Sequence, residues 1–234
     1  MLKIFTIVAF CLLATHCEAH WFPEVFSDCN STFVDYQLCQ DFRDIRNLID
    51  ANTLVYYISY GYLKDESFKK AMDFIGTDQF QSASQQIADS TAYQNILKRF
   101  ADAGINTESI ASIENIFNCV MVSMPKYADE DEITTLEMGK VVVGRSMVDV
   151  ATNLMNAIPR AEFRRLIREK LSYNTEFARF YRIVRSNSFK RDIRKLFSSY
   201  QAKYPLNLLR RKNIDLCKLA QMANQIFEWG PVSY

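Results

Sequence analysis

The sequence predicts an all-α protein built as two tandem repeats of about six short amphipathic helices each, forming one globular unit. Three observations predict it. Glycine and proline are scarce, six and five in 234 residues, and so few breakers disfavour a β-fold with many tight turns. Apolar residues recur at helical spacing: Phe68, Ala71, Met72 and Ile75 fall at i, i+3, i+4 and i+7, as do Phe177, Phe180, Tyr181 and Val184, so each stretch carries one apolar stripe. The two stretches also lie at an offset that recurs along the chain. Phe68 and Phe177, Phe80 and Phe189, Ile87 and Leu196, Leu97 and Leu206, Phe100 and Leu209, and Ile105 and Ile214 are all 109 residues apart, which is the signature of a long-period repeat.

Taken in order, residues 1–19 read as a secretory signal peptide: Lys3 precedes an apolar run over 4–13, and Cys17-Glu18-Ala19 offers a small-residue cleavage site. That run is too short to span a bilayer, and no other stretch approaches the roughly 20 apolar residues a spanning helix needs. The mature protein is therefore expected to be exported, without a transmembrane segment. Residues 20–40 form an irregular N-terminal segment.

The first repeat covers 41–118. A helix is expected over 42–51 with Asp41 as its cap and Ile45, Leu48 and Ile49 inward. Next come 54–63, with Leu54, Ile58 and Tyr62 on one face, and 65–75, capped by Asp65. Thr77 or Asp78 caps a helix bearing Phe80, Ala83 and Ile87, and Ser90 caps one bearing Tyr93, Ile96, Leu97 and Phe100. Gly104 suits the left-handed position that ends a helix, and Thr107 opens the last one.

Residues 119–145 form a connector, with a break at Pro125, an acidic turn at 129–132 and a further helix over 133–143. The second repeat covers 146–228 and is followed by a tail over 229–234. It opens with an echo of residues 47–51 at 153–157, and an insertion near Pro159 then sets the offset of 109. Asn174 or Thr175 caps the counterpart of the 65–75 helix. Gly104 pairs with Asn213, the residue used most after glycine for a left-handed turn. Ile96 pairs with Pro205, so the fifth helix of this copy is expected to start late or to break there.

Net charge is +1 but unevenly spread. Residues 20–132 hold eight Lys/Arg against eighteen Asp/Glu, and residues 133–234 hold nineteen against eight, so the halves should attract. A basic half raises nucleic-acid binding as a hypothesis. The export signal, the interspersed acids and the lack of a binding motif argue against it. Arg164, Arg168, Arg179, Arg182 and Arg194 read instead as a solvated face that pairs with the acidic half.

Cys11 and Cys17 leave with the leader. Cys29, Cys39, Cys119 and Cys217 remain, an even number in an exported chain, which favours two disulfides over a metal site and leaves three pairings open. Asn30-Ser31-Thr32 is a glycosylation sequon at Asn30.

Histidine is the informative scarcity: only His16 and His20 exist, and the first is lost on cleavage. That removes Ser-His-acid and Cys-His catalysis and nearly all zinc-hydrolase ligand sets. No glycine-rich phosphate loop is present, and Asp44, Asp50, Asp73, Asp78 and Asp102 read as caps and surface residues rather than a catalytic pair. The expectation is a non-enzymatic protein without metal or cofactor. Apolar surface remains as the possible site, and periodicity alone cannot separate a solid bundle from a shell around a cavity.

The residues Leu63-Lys64-Asp65-Glu66-Ser67-Phe68, Asp78-Gln79-Phe80, and Leu97 through Gly104-Ile105 resemble the insect allergen-related repeat family. It includes cockroach group-one allergens, a mosquito midgut microvillar protein and the nitrile-specifier proteins of glucosinolate-feeding caterpillars. The resemblance covers nearly all of the mature chain. It implies two helical repeats enclosing an apolar cavity that holds fatty acids or phospholipids, and secretion into the gut lumen or onto its microvillar surface, with peripheral association with the gut membrane left open.

Candidate lining residues are the largest inward side chains of the central helices, Ile58, Tyr62, Phe68, Met72, Ile75, Phe80 and Phe100, and their counterparts Leu166, Phe177, Tyr181, Val184, Phe189 and Leu209; ordinary core is the default reading of each, ahead of cavity lining. A secreted binder or carrier of lipids and other apolar molecules is the leading function. A nitrile-specifier-like detoxification factor is the alternative, and a structural component of the gut lining is a third reading.

Overall fold

Short polar residues start most of the helices, and they explain where each begins. The computed structural model describes residues 37–107, 147–173 and 175–232. The leader, Cys29, Asn30, Cys119, the connector and the side chain of Cys39 lie outside the described residues. The helices are α1 (Gln37–Arg46), α2 (Ala51–Lys64), α3 (Glu66–Ile75), α4 (Asp78–Ala88), α5 (Thr91–Asp102), α6 (Met147–Ala157), α7 (Arg160–Leu171), α8 (Glu176–Arg185), α9 (Asn187–Ser198), α10 (Tyr200–Arg211) and α11 (Leu216–Trp229). No strand occurs among the described residues.

The Asp65 carboxylate accepts from the N–H groups of Ser67 and Phe68 at 2.8 and 3.0 Å. Thr77, Ser90, Thr175, Ser186, Ser199 and Asp215 cap α4, α5, α8, α9, α10 and α11 in the same way. Each such cap contributes about 1 kcal/mol by satisfying an N–H that the helix leaves without a partner. The caps of α4 and α5, Thr77 and Ser90, sit 109 residues before those of α9 and α10, Ser186 and Ser199.

The ends of α5 and α10 match as well. Gly104 and Asn213 have φ of 70° and 63°. Beside them, Ile105 N–H donates to Phe100 O at 3.0 Å and Ile214 N–H to Leu209 O at 2.9 Å. That closing bond with one left-handed residue is the Schellman arrangement.

Two expectations for the helices need correction. The first helix is not 42–51 with Asp41 as its cap. It runs over Gln37–Arg46, so Asp41 lies inside it and faces α7, while Asp50 starts α2 by accepting from Thr53 N–H at 2.9 Å. The second concerns Pro205, which does not delay or break α10: the helix runs through it from Tyr200 to Arg211. Pro205 lacks the N–H that would reach the carbonyl of Gln201. The Ser199 cap on one side and buried Ala202, Pro205, Leu208 and Leu209 on the other hold the helix together despite that lost bond.

Contacts between the two sets of helices come in exchanged pairs. Helix α4 packs on α10 and α5 packs on α9; α2 packs on α6 and α1 packs on α7; α3 packs on α6 and α1 packs on α8. Swapping α1 to α5 for α6 to α10 turns each contact into its partner, the pattern of an approximate two-fold axis. Charge ties the sets together too: Arg99 Nε donates to Asp192 Oδ2 at 2.9 Å, and Lys170 Nζ bridges Asp41, at 2.7 Å, and Asp44.

The core lies where the sets meet. Phe100 of α5 stacks on Phe180 of α8, ring centroids 5.4 Å apart at 14°, and Phe42 of α1 stands edge-on to Phe180 at 5.2 Å. Phe177, Tyr181, Phe189 and Phe227 extend the cluster. Such offset and edge contacts between buried rings add about 0.5–1.5 kcal/mol per pair beyond the burial of their area.

Candidate functional site: an apolar groove beside α9

Helix α8 packs against both α9 and α11, and the space those two leave over it is a groove of about 340 Å³. Val184 of α8 contributes to its lining. Phe189, Ile193 and Phe197 of α9 form one wall, at i, i+4 and i+8, and Ala220, Ala223 and Phe227 of α11 contribute to the other. Ala220 and Ala223 are the small side chains of this lining, and they leave the α11 side of the groove open. The groove is partly open to solvent, and its size falls at the lower end of the roughly 300–1,000 Å³ common for small-molecule sites.

Polar groups stand at the mouth. Lys190 Nζ pairs with Glu228 Oε1 at 2.7 Å, and Asn224 Nδ2 donates to the same oxygen at 2.8 Å. The hydrogen bonds from Lys190 and Asn224 hold the Glu228 carboxyl below its ordinary range. Arg194 is exposed, with Nε donating to the Lys190 carbonyl at 3.3 Å, and it makes no ion pair among the described residues. Among the described residues, the mouth therefore carries one cation paired with a carboxylate, Lys190, and one without such a pair, Arg194, over an apolar trough. That combination suits a molecule with an apolar body and an anionic head.

Cys217, the one disulfide candidate whose side chain is among the described residues, is a free thiol at the groove edge. Burial pushes its pKa up, Asp215 adds to this and Arg210 opposes it, so the group is a neutral thiol near pH 7 and a weak nucleophile. Among the described residues no three His, Cys, Asp or Glu side chains gather as a metal site requires. No helix among them is long and apolar enough to cross a membrane.

Of the thirteen candidate lining residues, Val184 and Phe189 lie in the groove. Ile58, Phe68, Met72, Phe100, Phe177, Tyr181 and Leu209 are buried in the core. Tyr62, Ile75, Phe80 and Leu166 are partly buried against it; Tyr62 also donates its hydroxyl to Asp73 Oδ1 at 2.9 Å. The groove residues that sequence reading passed over are Ile193, Phe197, Ala220, Ala223 and Phe227. A signal existed for the first two. With Phe189 and Leu196 they make the apolar stripe of α9 wider than one packed neighbour can cover.

A profile described as "insect allergen related repeat, nitrile-specifier detoxification" matches residues 37–220. The chain belongs to the insect allergen-related repeat family. No curated protein and no solved structure matches it. The family match contains α9 whole and ends inside α11, so one wall of the groove is family sequence and the other lies partly beyond it.

Proposed function

We propose that the protein is an exported, non-enzymatic binder of lipids and similar apolar molecules, acting in the insect gut, and that the α9–α11 groove takes the apolar portion of the ligand. The observation that carries this reading is the groove's composition: Val184, Phe189, Ile193, Phe197, Ala220, Ala223 and Phe227 below, Arg194 and Lys190 at the mouth. A fatty acid is the simplest ligand with that division. Each methylene it buries contributes about 0.8 kcal/mol, so affinity comes from the chain and orientation from the carboxylate meeting Arg194. Two repeats that enclose a larger cavity would extend the same site.

Titration with a fluorescent fatty acid, alongside solvent extraction and mass spectrometry of the purified protein, tests it. Saturable probe binding displaced by unlabelled fatty acid supports the reading. Absence of both probe binding and co-purified lipid would sink it.

The family description favours a second reading, a nitrile-specifier-like factor that diverts reactive products of glucosinolate breakdown. A glucosinolate-hydrolysis assay separates the two, because a carrier leaves the product ratio unchanged and a specifier shifts it towards nitriles.

A further inference from the structure

Helix α10 turns an unusual face outward. Tyr200, Lys203, Tyr204, Asn207 and Arg211 fall at i, i+3, i+4, i+7 and i+11, and all five are exposed. Tyr200 is 91% and Tyr204 62% exposed, two of the four large apolar side chains left open among the described residues. The helix contains no acidic residue, and neither Lys203 nor Arg211 makes an ion pair among the described residues. Arg210, Arg211, Tyr204 and Asn207 border a shallow hollow near its C-terminal end. The adjoining helix α4 exposes neutral Gln81, Ser82, Gln85 and Gln86 between acidic groups at its two ends, Asp78 in its first turn and Asp89 at its C-cap.

On this face two tyrosine rings stand clear of the protein, one turn apart and beside basic side chains. Tyrosine favours the boundary between headgroups and acyl chains, where its ring is apolar and its hydroxyl wet. Lysine and arginine beside it reach lipid phosphates, and two neighbouring guanidiniums fit a phosphate through paired hydrogen bonds. The helix is about 18 Å long at 1.5 Å per residue, enough to lie across several headgroups. Its opposite face, Ala202, Pro205, Leu208 and Leu209, is buried in the protein, so α10 is braced as a rigid edge.

We propose that the outer face of α10 docks the protein on an anionic phospholipid surface, the Arg210–Arg211 hollow taking a headgroup phosphate and Tyr200 and Tyr204 entering the interface. The docking face is separate from the α9–α11 groove, and either can fail without the other.

Co-sedimentation of the mature chain with vesicles of phosphatidylcholine alone, or enriched in phosphatidylserine, tests it. The expected result is binding to the anionic vesicles that weakens with salt. Arg210→Glu with Arg211→Glu should lower the partition coefficient by about 30-fold or more, from roughly fivefold for each basic residue near an anionic surface. Tyr200→Ser with Tyr204→Ser should also weaken binding while leaving its salt dependence. The pair Arg165→Glu and Arg168→Glu, exposed on α7, is the control and should lose much less. All variants should keep wild-type helicity and fatty-acid titration.

The proposal is overturned by the absence of vesicle binding, by equal binding to neutral vesicles, or by an equal loss in the α7 control. It is equally overturned by binding of inorganic phosphate without vesicles, or by preference for a single-stranded RNA of matched charge.

Discussion

A Cβ placed on Gly230 would stand 2.3 Å from the hydroxyl oxygen of Tyr181. That hydroxyl is occupied: it lies 3.1 Å from the carbonyl oxygen of Phe227 and 2.9 Å from that of Pro231, so it fastens the end of α11 to α8. Gly230→Ala should therefore displace either the ring or the C-terminal turn and cost about 1–3 kcal/mol, as overpacking does in a closed core. Urea denaturation checks the value; an unchanged midpoint would show that the turn moves freely.

The same tyrosine gives a pH dependence. Burial raises the Tyr181 pKa above 10.0, with Arg185 opposing it, so the folded state favours the neutral phenol. Its contribution is whole below the unfolded pKa of about 10 and is lost as pH rises through the folded value. Tyr56 and Tyr62 are raised too. The alkaline loss of stability should be smaller in Tyr181→Phe than in wild type, measured by urea midpoints on either side of about pH 10.

Lys170 is nearly buried between α7 and α1. Burial alone would lower its pKa, but the hydrogen bonds to Asp41 and Asp44 outweigh that and raise it. Asp41 Oδ2 already lacks a partner, so removing the ammonium strands a buried carboxylate. Lys170→Met should cost about 3–5 kcal/mol. Adding Asp41→Asn should recover a large part. A double mutant no more stable than Lys170→Met would refute the account. Because the raised pKa means the folded state holds the proton more tightly, this contribution too is complete below about pH 10 and fades above it.

Gly104 and Asn213 end equivalent helices with the same sign of φ. Gly104→Ala should cost about 1–2 kcal/mol, the penalty of a Cβ in left-handed backbone. Asn213→Gly should fall within a few tenths of wild type apart from the weak bond of Asn213 Nδ2 to Ser67 O at 3.4 Å. Thermal melts of the two variants give the comparison, and equal costs would remove the equivalence.

In the groove, Ala220→Phe places a ring where the ligand chain is proposed to lie. Fatty-acid affinity should fall about tenfold or more, while stability stays within roughly 1 kcal/mol because Ala220 is only half-buried. Arg194→Glu should weaken a fatty acid by about fivefold to tenfold and leave the matching alcohol unaffected, since a single solvent-facing charge contributes roughly 1 kcal/mol. Equal loss for acid and alcohol would mean that Arg194 does not meet the head.

Phe68→Ala and Phe100→Ala provide the contrast. Both side chains are buried in the core, and each truncation should cost about 3–5 kcal/mol. Phe197→Ala, on the half-buried groove wall, should cost clearly less in a thermal melt and more in ligand affinity.

Local chemistry was readable from the chain. Asp65, Thr77, Ser90 and Thr175 mark their helix starts because a short polar side chain before an apolar run bonds to backbone only two or three residues away. Gly104 and Asn213 are legible as stops because glycine and asparagine enter left-handed backbone at the least cost. Asp41 looked like another cap and is not, since its partner Lys170 lies 129 residues distant and leaves no trace nearby. Pro205 misled in the opposite direction: its local penalty is real, but packing of α10 on α4 overrides it.

The same division separates core from site. The sequence by itself determined that the protein is helical, where α3, α4, α5 and α8 begin, where α5 and α10 end, and which face of these helices is apolar, because capping and periodicity act over one or two turns. Only the tertiary structure decided what those faces meet. Phe100 and Phe180 close on each other, whereas Phe189, Ile193 and Phe197 are left beside a groove. That outcome depends on the gap between α9 and α11, which is set by both helices packing on α8 and is written in no single stretch of the chain.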